Sequence, residues 1–90
     1  GMQEMMKWLG ANIKYPTICQ ENGVQGRVAV QFVVTREGDI TDAAVVKGVD
    51  PYLDAEALRD IKSMPKWKPG KQRGKEVNVK YTLPVVFRLQ

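Results

Sequence analysis

The chain has 90 residues, 14 of them basic and 10 acidic, with no histidine and one cysteine. One domain of this size buries roughly 60–65% of its unfolded surface, which leaves little core to spare for a deep active-site cavity. Without histidine there is no imidazole base, no ordinary serine or cysteine triad and no common zinc shell, and Cys19 alone forms neither an intrachain disulfide nor a Cys-x-x-Cys pair. The net charge of +4 is unevenly placed: residues 1–60 carry six basic and nine acidic side chains, whereas residues 61–90 carry eight basic ones against Glu76 alone. The last third therefore holds all of the excess. No apolar run approaches the roughly 20 residues of a membrane-spanning helix. Gly1 before Met2 is read as a cleavage scar preceding a single domain over 2–90, trimmed from a longer parent.

In chain order, Met5, Met6, Trp8, Leu9 and Ile13 recur at helical spacing and predict a short amphipathic helix over 5–13. The residue before a proline is pushed out of the α region, so Lys14, Tyr15 and Pro16 run extended. Pro16 then opens a second short helix over 17–21, closed by Asn22 and Gly23. Val28, Val30, Phe32 and Val34 alternate with Arg27, Ala29, Gln31 and Val33, a strand with one strongly apolar face. Arg36 to Asp39 supply turn chemistry before a second strand over 40–47, and together the two predict an antiparallel hairpin.

Asp50 followed by Pro51 is a helix start. Leu53, Ala57, Leu58, Ile61 and Met64 form the apolar stripe of the helix that follows, with Asp54, Glu56, Arg59, Asp60 and Lys62 on its wet side; it stops before Pro65. Residues 65–74 read as an irregular basic loop that Trp67 pins to the core. From Val77 to Leu89 every odd position is apolar, which predicts a long half-buried strand. Its 13 residues would span about 43 Å at roughly 3.3 Å each. Pro84 cannot donate to a ladder, so this strand belongs at a sheet edge or carries a bulge. A long edge leaves a row of unpaired N–H and C=O groups to which another extended chain can add.

No catalytic or metal-ligating set emerges. Asp39 and Asp42 lack the ligand ladder of a calcium loop, and the acids of the third helix are interleaved with Arg59 and Lys62 as on an ordinary solvated face. Lys71 to Lys75 beside Trp67 invite a nucleic-acid reading, but no phosphate loop or RNA-binding aromatic signature accompanies them; a solvated basic loop, or one that steers an acidic protein, fits better. Tyr15 is open between a recognition element and a tyrosine whose ring caps the core with its hydroxyl at the rim.

The motifs Tyr15-Pro16, Gln25-Gly26-Arg27-Val28, Gly38-Asp39-Ile40, Leu53-Asp54-x-Glu56-Ala57-Leu58, Trp67-Lys68-Pro69-Gly70 and Pro84-Val85-Val86-Phe87, in this order from about Trp8 to Leu89, resemble the C-terminal domain of TonB-family proteins. Ser63 to Lys71 most resemble versions from Bacteroidetes-type bacteria, where such domains end TonB proteins and some membrane-bound sensor peptidases of the BlaR type. The resemblance implies an α+β fold of two helices on a three-stranded antiparallel sheet, in the periplasm, at the end of a protein anchored in the inner membrane and driven by an ExbB/ExbD-type proton motor.

It implies no cofactor, and as partner a TonB-dependent outer-membrane transporter whose TonB box pairs with the last strand. Here that maps onto Val77, Asn78, Val79, Lys80, Tyr81, Thr82 and Leu83, with Asn12, Ile13 and Lys14 also approaching the transporter. Lys71, Arg73 and Lys75 would steer an acidic face of it. A homodimer paired through the same edge is a further expectation, and nucleic acid is not. The alternative role is a ligand- or protein-sensing module of a signalling peptidase.

Overall fold

The computed structural model describes residues 1–90. In chain order the elements are α1 (Met2–Asn12), α2 (Thr17–Glu21), β1 (Gly26–Val34), β2 (Ile40–Lys47), α3 (Pro51–Lys62), β3 (Gly70–Gln72), β4 (Lys75–Val77) and β5 (Val79–Phe87). Three strands form an antiparallel sheet in the order β2-β1-β5, while β3 and β4 make a separate two-stranded hairpin. Three helices accompany the sheet, the short α2 beside the two that were expected to pack on it. The α+β class and the three-stranded antiparallel sheet are those the family resemblance implies.

β1 is the central strand, and its even residues are apolar and turn to one face: Val28, Val30, Phe32 and Val34 are buried completely or nearly so. Across from them Leu83, Val85 and Phe87 of β5 close the same face. The third wall comes from Leu53, Ala57 and Ile61 of α3 together with Met5 and Leu9 of α1. Within this layer Phe32 stacks on Tyr81 at 5.6 Å between ring centroids. Each of these side chains leaves water on folding, and burial of one stabilises by about 1.5–3 kcal/mol.

The start of α3 follows the expected chemistry. The Asp50 carboxylate accepts hydrogen bonds from the backbone N–H groups of Tyr52 at 2.8 Å and Leu53 at 3.1 Å. The bond from Leu53 is the first cause holding the Asp50 carboxyl below the usual range, even though burial opposes it. The thiol of Cys19 donates to the same carboxylate at 3.4 Å, tying α2 to the start of α3. Gly38, at φ 88°, sits in the β1–β2 turn with the Trp67 carbonyl where a side chain would be, and its own carbonyl accepts from Trp67 N–H at 3.0 Å. Trp67 thereby fastens the segment after α3 to the first hairpin, as its apolar bulk within a basic loop suggests.

Four features differ from expectation. Residues 70–77 are not irregular: Gly70, Lys71 and Gln72 pair with Val77, Glu76 and Lys75. Arg73 and Gly74 at the tip both adopt positive φ, 53° and 77°, the requirement of a two-residue type I′ connection. The long final strand is not continuous: it breaks at Asn78, whose side-chain oxygen accepts from Arg36 N–H at 2.8 Å, and it ends at Phe87. In β2 the register shifts between Gln31 and Val33, where Asp42 at φ 55° makes room for an extra residue.

Fourth, Asp60 is fully buried instead of lying on the wet face of α3, and neither carboxylate oxygen has a partner. Position 60 is seven residues after Leu53 and three after Ala57, which puts it on the apolar stripe whatever its chemistry. Burial raises its carboxyl from 3.8 to about 6, against a lowering by Arg59 and together with a raising by Glu56. Between those values the folded chain keeps a proton that the unfolded chain has released, so stability falls as pH rises from about 4 to 6 and stays reduced above that. Asp60→Leu is expected to raise the melting temperature at pH 7 by several degrees, since about 1 kcal/mol moves Tm by roughly 4–8 °C in a domain of this size. Thermal melts at pH 4 and pH 7 check this, because the variant should also lose that part of the pH dependence.

Candidate functional site

β5 pairs with β1 along its whole length, from Val79 opposite Val34 to Phe87 opposite Gly26. No strand pairs with its other side. The register runs without a shift through Pro84, which stands opposite Ala29. A proline within a paired strand keeps a complete ladder when its donorless nitrogen faces away from the neighbour. Backbone groups alternate sides along a strand, so the N–H and C=O of Lys80, Thr82 and Val86, with the C=O of Pro84, then face the open edge.

The expected docking residues divide accordingly. Tyr81 and Leu83 turn their side chains into the core, and their backbone groups serve β1. Lys80 and Thr82 are exposed, and it is their backbone that fronts the free edge. Val77 belongs to β4 and pairs with Gly70, while Asn78 is engaged by Arg36 at the break. β5 by itself spans about 30 Å, nine residues at roughly 3.3 Å each. Lys71, Arg73 and Lys75 are exposed on the hairpin that precedes its Val79 end, with Glu76 as that hairpin's one acidic side chain.

Asn12 ends α1, and Ile13, in extended conformation, and Lys14 follow it. They are held by a pair on α3 that sequence reasoning assigned to a solvated face. Glu56 and Arg59 form a two-pronged pair with both contacts at 2.7 Å. The Glu56 carboxylate also accepts from Lys14 N–H at 2.7 Å, and the Arg59 guanidinium donates to the Asn12 carbonyl at 3.2 Å. The Arg59 bonds are the first cause lowering the Glu56 carboxyl, with the Lys14 backbone adding to it, and Glu56 in turn raises Arg59. The only sequence signal for this role is the spacing of three residues between two opposite charges, which an ordinary surface pair shares.

Tyr15 resolves toward structure. Its ring meets Phe87 edge-on at 5.5 Å and its hydroxyl donates to the Val24 carbonyl, so it fixes the Pro16 joint against the end of β5. No group of three or more Cys, Asp or Glu side chains is placed to hold a metal ion. An open sheet edge flanked by a helix on one side and a basic hairpin at one end defines a class: a small α+β domain whose sheet leaves one side of its last strand unpaired.

Comparison with known proteins narrows that class. A family model described as the Gram-negative bacterial TonB protein C-terminal matches residues 11–89. The chain belongs to this family. It is similar to Protein TonB of Pseudomonas aeruginosa, 32% identical over 76 residues that cover 84% of this chain and 22% of that protein. It is also similar to Protein TonB of Helicobacter pylori, 39% identical over 51 residues covering 56% of this chain and 18% of that one. The chain thus spans about a fifth of the length of these relatives. Among solved structures, the solution structure of the Helicobacter pylori TonB C-terminal domain superposes with a TM-score of 0.80 at 26% identity, covering 99% of this chain and 80% of the other. That of Pseudomonas aeruginosa gives 0.62 at 27% identity, covering 87% and 79%.

Glu56→Ala is expected to release the segment after α1. Loss of a charge-assisted bond to backbone costs roughly 1–3 kcal/mol, and the Lys14 amide should exchange with solvent at least about tenfold faster in hydrogen-exchange measurements at pH 7. Because the Glu56 carboxyl is held below its ordinary value, this contribution is present above the carboxylate range and fades as pH falls through it. The difference between wild type and variant should therefore shrink on acidification.

Proposed function

We propose that this chain is the periplasmic contact domain of an energy-transducing protein anchored in the inner membrane, and that it binds the TonB box of an outer-membrane transporter by adding it as a strand to β5. The observation that carries this reading is the bare side of β5, whose opposite side is fully paired with β1. Family membership supports it. Strand addition suits a mechanical coupling: its affinity comes mainly from main-chain hydrogen bonds, so one domain can serve many transporters with different side chains. A proton-driven motor of the ExbB/ExbD type would supply the pull that such a coupling transmits. No residue is assigned a catalytic role.

Lys71, Arg73 and Lys75 act in this proposal as a steering patch for an acidic face of the transporter. Their exposure on a hairpin at one end of the docking edge lets them act on the encounter before any backbone bond forms. Of the expected site, Lys80 and Thr82 carry the backbone bonds, with Asn78 at the boundary and Ile13 on the neighbouring helix end.

Titration of the isotope-labelled chain with a synthetic TonB-box peptide of a transporter from the same organism should shift the amides of Lys80 and Thr82 first, with Val79 to Leu83 moving together. Unmoved amides from 77 to 83 at millimolar peptide would exclude strand addition for this domain. Reversing the charges of Lys71, Arg73 and Lys75 to Glu should slow association with the transporter several-fold at low salt. That difference should disappear near 1 M salt, where screening acts within about 3 Å.

A further inference from the structure

α1 carries a glycine, Gly10, in its last turn, where neither a positive φ nor a close contact requires one. Gly10 does not adopt positive φ, and a Cβ placed on it would meet no atom within 4 Å. A helix-interior glycine is less favourable than alanine, so the missing side chain leaves room at a cost in stability. That room is one wall of an apolar groove of about 120 Å³ between α1 and β5, lined by Met6, Leu9, Gly10, Ile13 and Pro84 to Val86. Leu9 and Val85 are its buried floor at 4% exposure each, and Met6 and Val86 its open rims at 40% and 41%. An apolar cavity of about 150 Å³ admits benzene, so this groove matches one branched aliphatic side chain.

We infer that this groove is a side-chain pocket for the strand that adds to β5, and that it selects an extended segment carrying an aliphatic residue about five positions from an acidic one. The inference rests on the strand-addition reading above. The groove and the free edge share Pro84 and Val86, so a strand continued along that edge would run past the pocket. The odd residues of β5 face the helices and the even ones the opposite side of the sheet. The exposed Lys80 is five residues from Val85, hence on the opposite face.

A partner strand in register meets the pocket with a side chain on one face and the Lys80 ammonium with a side chain on the other. An odd spacing of about five satisfies both. The charge is complementary to an acidic residue, because Lys75 lies beyond Lys80 toward the basic hairpin tip. Pro84 offers an acceptor and no donor, so the ladder loses a bond where the pocket begins and the aliphatic anchor takes over from backbone pairing.

The probes are two blocked peptides of about nine residues built from Thr and Val, one with Glu second and Leu seventh and one in reverse order to cover both strand directions, each with a control carrying Ser in place of Leu. In one direction the Leu peptide should bind about tenfold more tightly than its control, as expected for burying most of one aliphatic side chain. Gly10→Leu fills the pocket from α1 and should erase that preference while leaving the affinity of the Ser peptide unchanged. A melting temperature no lower than wild type would verify that the variant folds.

If Lys80 to Val86 amides shift but Leu and Ser peptides bind alike, or the preference survives in Gly10→Leu, the pocket is overturned and strand addition stands. If no peptide shifts those amides, both fall. If the same amides shift on concentrating the chain without peptide, the occupant is a second copy and the pocket proposal is overturned.

Discussion

β1 is satisfied on both sides and β5 on one, and most of what distinguishes this molecule follows from that asymmetry. A three-stranded sheet must leave two edges. β2 is bulged at Asp42 and shifts register again between Ala29 and Val30, so its outer edge is twisted and irregular. β5 keeps an unbroken register over nine residues. Only one of the two edges is therefore a straight template, and the sole interruption in its donors is Pro84.

The rest of the structure holds that edge in place without covering it. Tyr15 against Phe87 and the Val24 carbonyl pins the C-terminal end, and the Arg36 to Asn78 bond pins the break at the other. Glu56 and Arg59 on α3 hold the chain leaving α1, which keeps that helix alongside β5 instead of over its outer side. The β3–β4 hairpin precedes the Val79 end of β5 and concentrates positive charge there. Stability is not maximised: Asp60 sits without a partner in the middle of the α3 contact, and Gly10 leaves a gap beside α1.

Much of the fold is legible in residue patterns. The alternation of β1 and β5, Asp50-Pro51 before α3 and the Pro16 joint all depend on interactions within a few residues, and each appears where local chemistry puts it. Asp60 does not lie on the wet face its charge predicts, because its place at i+7 from Leu53 and i+3 from Ala57 is on the buried stripe, and helical geometry buries a position regardless of what occupies it. The hairpin over 70–77 carries no clear signal in the residues because Pro, Gly and Lys suppress the strand pattern, and Arg73 reaches positive φ without the asparagine or aspartate that usually marks a type I′ turn.

What the residues determined by themselves is the three helices, the first hairpin and the final strand, their apolar periodicity and, through Pro84, that the last strand lies at an edge or carries a bulge. Those are properties of chain sterics and period. Which backbone groups front that edge, that the strand breaks at Asn78, that Glu56 grips Lys14 from 42 residues away and that Gly10 opens a pocket beside Val86 were decided only by the tertiary structure. The physical reason is that each joins groups distant in sequence. A hydrogen bond or a cavity between two elements has no periodicity to betray it until packing brings the elements together.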